Sequence, residues 1–153
     1  YKAYLCLQTA KFTFRNQHDD AKFSNKLQNT TNKLSKNSAK FKDTTMKKGK
    51  KTYTVQLTGL NKCIAKDKTF NTLYVDTNIK GKDKKKVTVT NVNVFFDGKK
   101  VKTIKKGVLT PDPGQTDGFV QLQIINMWNS RVAKFKYTMP KKTIKVTYTV
   151  KIK

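Results

Sequence analysis

Apolar and polar residues alternate with a period of two along most of this chain. The clearest run is TIKVTYTVKIK, where Ile144, Val146, Tyr148, Val150 and Ile152 fall on one face and Lys145, Thr147, Thr149 and Lys151 on the other. That is the pattern of a half-buried strand with a wet outer face. TYTVQLTGL repeats it with Tyr53, Val55 and Leu57. KVTVTNVNVFFDGKK carries Val87 and Val89 in one phase and Val92, Val94 and Phe96 in the next. The one-residue slip at Thr90–Asn91 predicts a bulge. Asp97-Gly98 then marks a hairpin into KKVKTI.

GFVQLQIINMWN sets Val120, Leu122 and Ile124 against Gln121 and Gln123, as an apolar face against a polar one. KFKYTMP reads as a short strand stopped by Pro140, KTFNTLYVDT as another, and YKAYLCLQT with KFTFR as the N-terminal edge. About eight strands with turn signals between them, and no convincing amphipathic helix, predict an all-β fold: an antiparallel β-sandwich, jelly-roll-like. The polar stretch Asp20–Lys40, with Phe23, Leu27 and Leu34 loosely spaced, reads as a long surface loop with one helical turn. VLTPDPGQTDG is a second long turn, forced by Pro111, Pro113 and its glycines. KKGKK and KGKDKKK read as Lys-rich hairpin tips or loops, which also guard sheet edges against aggregation.

A chain of 153 residues fits a single domain with one core. Because YKAYLCLQT begins inside a strand, residues 1–153 are expected to be one module cut from a longer polypeptide. Charge changes the picture most. Lys and Arg total 34, only Arg15 and Arg131 being Arg, and all nine acidic residues are Asp, for a net charge of +25. Such a surface attracts any polyanion: nucleic acid, anionic lipid, teichoic acid or uronic-acid polysaccharide. Lys is a hydrated point charge, whereas Arg is the planar fork that reads bases and phosphates. The charge therefore reads as a non-specific field, and no specific nucleic-acid partner is expected. Cys6 and Cys63 allow one disulfide or none, and neither belongs to a CxxC pair, which argues against a thiolate zinc site. No run approaches the roughly 20 apolar residues of a membrane span.

The densest chemistry lies in FTFRNQHDD, Phe12 to Asp20, which contains His18, the only histidine. Catalysis is hard to build from it. No Ser or Cys lies in a recognisable nucleophile motif, and a glycosidase needs two carboxylates facing one bond, whereas Asp19 and Asp20 on a strand would point to opposite sides. The chain is therefore not expected to be an enzyme or to carry a cofactor. His18, Asp19 and Asp20 are consecutive, and consecutive residues seldom converge on one ion. A structural calcium, with ligands unassigned, is the ion the fold class leaves open.

Sugar binding fits better. An aromatic ring is a large rigid surface with little entropy to lose, and planar amides match pairs of hydroxyls. Trp128, the only Trp, lies in INMWNS between Asn126 and Asn129, and Arg15, Asn16 and Gln17 offer similar groups. A second reading stands beside each: Trp128 as a core residue at a strand end, Arg15 and Asn16 as a turn cap.

YLCLQT, FTFRNQHDDAKF, TYTVQLTGL, FNTLYVDTNI, VTVTNVNVFFDGKKV, QIINMWN and YTMPKKTIKVTYTV occur in that order over nearly the whole chain. Together they resemble a non-catalytic β-sandwich carbohydrate-binding module of extracellular glycoside hydrolases and surface proteins of gut and rumen Firmicutes. The resemblance implies an extracellular or cell-surface monomer that binds a plant cell-wall glycan such as xylan or mannan and holds a catalytic domain, attached in cis, against it. Phe14, Arg15, Asn16 and Asp19 match the family's first motif, and Trp128 and Asn129 a later one. The family often has Trp where this chain has His18, and its members are typically acidic or near neutral. The expected binding residues are Trp128, Arg15, Asn16, His18, Asp19, Asn126 and Asn129. Two rival functions remain: non-specific polyanion binding, to nucleic acid or cell-wall teichoic acid, through the Lys-rich surface, and a structural spacer.

Overall fold

The period-two segments become strands whose apolar faces meet across a sandwich. A computed structural model describes residues 1–14, 39–111 and 118–153. Arg15, Asn16, His18 and Asp19 lie outside the described residues, as do nearly all of the Asp20–Lys40 stretch and the middle of VLTPDPGQTDG.

The strands are β1 (Lys2–Thr9), β2 (Thr13–Phe14), β3 (Lys40–Lys42), β4 (Thr44–Thr45), β5 (Gly49–Thr58), β6 (Phe70–Lys80), β7 (Val87–Phe96), β8 (Lys99–Gly107), β9 (Leu109–Thr110), β10 (Phe119–Asn126) and β11 (Ile144–Ile152). The first sheet runs β2-β1-β6-β10-β9, with β4 also pairing β1; the second runs β3-β5-β11-β7-β8. All pairings are antiparallel. Except for the β7–β8 hairpin, successive long strands lie in opposite sheets, as in a jelly roll. The strand count exceeds the expected eight because four strands, β2, β3, β4 and β9, are only two or three residues long. Such short pairings leave little periodicity to read.

The core lies between the sheets. Leu5 and Leu7 of β1, Leu73, Val75 and Ile79 of β6, and Val120, Leu122 and Ile124 of β10 face Val55 and Leu57 of β5, the β7 valines and the alternate residues of β11. Each such side chain stabilises the fold by about 1.5–3 kcal/mol relative to exposure. The bulge falls where the phase slips. Between Thr147 and Thr149 of β11 the register skips from Asn93 to Thr90, and Asn91 takes up the extra length at φ +52°. The hairpin turn also forms at Asp97-Gly98, both with positive φ, +53° and +81°. Asp97 then accepts the backbone N–H groups of Lys141, Lys142 and Thr143 at 2.7–3.2 Å, tying the hairpin to the segment that enters β11.

Three expectations need correction. KFKYTMP is not a strand: its residues pair with no neighbour in a sheet. The alternation arises because Phe135 and Tyr137 cap the end of the sandwich, their rings 5.2 Å apart and Tyr137 within 5.8 Å of Phe70 and 5.6 Å of Phe96. KKGKK is not a loop throughout, since Gly49–Lys51 belong to β5 and pair with β11 as far as Ile152. KGKDKKK continues from the end of β6 into a 3-10 helix, Gly81–Lys86, that links β6 to β7.

Nor is the outer face of the first sheet wet. Cross-strand rows Tyr4–Asp76–Gln121 and Cys6–Tyr74–Gln123 are buried there. Cys6 lies on that face and Cys63 in the turn after β5, and no disulfide joins them. Burial pushes the Cys63 thiol up, against the lowering effect of nearby backbone N–H groups.

Candidate functional site

The sandwich is open along one side. Strand β9 pairs with β10 only at Gln121 and Leu122. Past Leu122 the edge of β10 that faces away from β6 has no strand beside it among the described residues, and the opposite wall is β8, the last strand of the second sheet. Between them lies a groove of about 950 Å³. Leu122 and Ile124 give it an apolar floor, Lys102 and Ile104 line the β8 side, and Trp128 and Arg131 line the other. At one end Gly107 lets β8 approach closely: a Cβ there would stand 2.9 Å from Leu122 Cδ1 and Val89 Cγ1.

Trp128 is 63% exposed, so it is not a core residue. Asn126 and Asn129 show why it stands out. Asn126 Oδ1 accepts the Trp128 backbone N–H at 3.0 Å, and Asn129 Oδ1 accepts that of Arg131 at 3.1 Å. The Asn129 N–H itself donates to the Asn126 carbonyl at 3.2 Å. These are side-chain turns of the kind short amides make with the backbone two residues on. They fold the chain past β10 into a knuckle with Trp128 at its tip and Arg131 beside it.

Gln123 ties this knuckle to the sheet. Its Oε1 accepts Asn129 Nδ2 at 3.0 Å and Asn126 Nδ2 at 3.4 Å. The amide orientations follow from donor and acceptor counting. Each Asn oxygen is held by a backbone N–H, which turns each Asn nitrogen toward Gln123 and requires an oxygen to meet it. Gln123 Nε2 is therefore directed away from the knuckle. Gln123 is 8% exposed, and this Nε2 is buried without a hydrogen-bond partner. Leaving such a donor unmatched costs about 1–3 kcal/mol.

The electrostatics of the groove are of one sign. Among the described residues Lys102, Lys106 and Arg131 line it, no Asp does, and none of the three is in a salt bridge. Lys102 Nζ sits 5.6 Å from the Phe135 ring centre, a cation–π contact that leaves its charge available to solvent. A cleft with low-dielectric walls and one sign of charge concentrates counter-ions. Beyond the knuckle a second, apolar hollow of about 220 Å³ is lined by Phe70, Met127, Phe135 and Tyr137. There the Tyr137 hydroxyl accepts the Phe70 N–H at 2.9 Å, and burial pushes its pKa up.

Of the expected binding residues, Trp128, Asn126 and Asn129 are brought together at this groove. Arg15, Asn16, His18 and Asp19 lie outside the described residues. Asn126 and Asn129 emerge as residues that position Trp128 and Arg131, their oxygens already engaged. Sequence reasoning passed over Lys102, Gln123 and Arg131. One signal was present: Arg131 is one of two arginines in a Lys-rich chain and lies three residues after the only Trp. Among the described residues no three His, Cys, Asp or Glu side chains gather as a metal site would require, and no helix is long and apolar enough to cross a membrane. The chain matches no protein-family model, no curated protein and no solved structure.

Proposed function

We propose that this protein is a non-catalytic module that binds extracellular polysaccharide in the groove between β8 and β10, and targets an attached enzyme to its substrate. The observation that carries this reading is the exposed Trp128, held by Asn126 and Asn129 at the edge of an open groove floored by Leu122 and Ile124. A ring presented on a pinned turn stacks on a pyranose face with little ordering cost. The order of motifs resembling carbohydrate-binding modules supports the same reading, and with it a place outside the cell or on its surface. Plant cell-wall glycans such as xylan and mannan are the ligand class it suggests.

Affinity gel electrophoresis against xylan, glucomannan, pectin and starch, at low and high salt, tests it. Retardation by at least one glycan that persists at high salt is expected, because stacking is not screened as charge is. If no glycan retards the protein at high salt, and DNA and acidic glycans alike bind only at low salt, the function is polyanion binding by the Lys-rich surface. If nothing binds in either condition, the module is a spacer.

A further inference from the structure

We propose that the groove selects a uronic-acid polysaccharide, with a sugar ring on Trp128 and its carboxylate held by Arg131 and the lysines of the β8 wall. This rests on the glycan-binding reading and names the ligand class within it.

Three observations converge. First, among the described residues the groove lining pairs an exposed ring with three cations and no acid: Trp128 beside Lys102, Lys106 and Arg131. A neutral glycan gives the cations nothing to meet, and a polymer without rings gives Trp128 nothing to cover. A sugar bearing a carboxylate uses both.

Second, Lys102 occupies a position where a lysine is out of place. It pairs with Val94, a fully buried residue, so its side chain springs from the face of β8 that turns toward the core. At a closed edge that position would take an apolar residue. Here the register shifts between Val94 and Phe95, and the lysine opens into the groove. Other lysines, such as Lys50 and Lys151, pair with each other on the β5–β11 ladder, with β7 between that ladder and β8, and do not line the groove. The groove charge is thus separable from the general field.

Third, the same Asn129 that pins the knuckle fixes the Arg131 backbone, and Gln123 anchors both Asn side chains. Arg131 presents a planar fork suited to a carboxylate. A donor-rich wall selects an acceptor-rich substituent.

The test measures affinity for polygalacturonate, for the same polymer fully methyl-esterified, and for neutral glucomannan, at fixed ionic strength near 0.15 M, where the Debye length is about 8 Å. Two double variants remove equal charge: Lys102→Gln with Lys106→Gln in the groove, and Lys50→Gln with Lys151→Gln away from it. Arg131→Gln is made separately. The proposal expects polygalacturonate to bind about tenfold or more tighter than its ester. It expects the groove double variant and Arg131→Gln each to lose most of that ratio, and the distant double variant to keep it. Inorganic polyphosphate, which has charge but no rings, should compete poorly.

Equal loss in the two double variants, or equal competition by polyphosphate, overturns the proposal, since charge would then act as a general field. Equal affinity for ester and acid also overturns it but leaves glycan binding intact. Failure of all three polymers to bind overturns the glycan-binding reading itself. Thermal unfolding of each variant, unchanged, excludes loss of fold as the cause.

Discussion

Asn126 Oδ1 accepts the backbone N–H of Trp128 at 3.0 Å, and this bond holds the only tryptophan of the chain out in solvent. The asparagine acts through the turn it builds. Asn126→Ala is expected to weaken glycan binding several-fold by letting the ring wander, while lowering stability by about 1 kcal/mol, the net worth of a typical hydrogen bond. Asn126→Ser keeps an accepting oxygen for the turn without adding charge to the groove and should recover most of the binding. Isothermal titration of both variants, with urea unfolding alongside, distinguishes positioning from direct contact. If Asn126→Ser binds as poorly as Asn126→Ala, the side-chain nitrogen matters more than the turn.

The hairpin anchor at Asp97 makes a prediction in acid. Burial alone would raise the Asp97 pKa, but the N–H groups of Lys141, Lys142 and Thr143, with the Lys142 charge, outweigh it and hold the carboxyl below its usual range. The folded state therefore binds its proton less readily than the unfolded chain. The stabilisation is fully present above the unfolded pKa of about 3.9 and is lost as pH falls through the lower folded value. Asp97→Asn keeps a residue that tolerates the turn. It should cost about 1 kcal/mol at neutral pH, reduced from the usual value for charged hydrogen bonds because the site is largely solvated. The gap between the two proteins in urea midpoint should close as the pH drops below about 4.

Tyr148 predicts the opposite limit. Its hydroxyl is buried and donates to Met46 Sδ at 3.6 Å. Burial, and after it the neighbouring Tyr53, pushes its pKa well above the usual tyrosine value. Below the unfolded pKa of about 10 both states keep the proton and the contribution is complete. As pH rises beyond it, the unfolded chain ionises first and stability falls. Tyr148→Phe has no such ionisation, so wild type should lose stability relative to the variant as pH rises above about 10. Denaturant midpoints at pH 8 and near pH 10.5 measure it. Comparing the two proteins cancels the loss of lysine charge over the same range.

The sandwich was legible where its long strands bury one face, as β7 and β11 of the second sheet do. The alternation of Ile144 to Ile152 and the slip at Thr90–Asn91 translate directly into β11 and the β7 bulge. KFKYTMP misled for a physical reason: Phe135 and Tyr137 cover the end of the core without a ladder, and covering also selects alternate apolar residues. Gln121 and Gln123 read as a solvated face, whereas both are buried on the outer side of the first sheet. Period two separates faces but does not say what each face meets. The groove was partly legible. Trp128 with its flanking Asn residues pointed to it, while Lys102 becomes a groove residue only once β8 is placed opposite Val94.

Trp128 offers the most direct measurement of the central claim, that its ring contacts a polysaccharide. As the only Trp, it is the sole source of tryptophan fluorescence, and at 63% exposure its emission should be that of a solvated indole. Titration with the glycan retained most strongly on affinity gels should shift the emission to shorter wavelength and protect it from acrylamide quenching. Both changes should follow the binding curve obtained by calorimetry. An emission and quenching rate that stay constant while the glycan saturates the protein would place the ligand elsewhere and contradict the account.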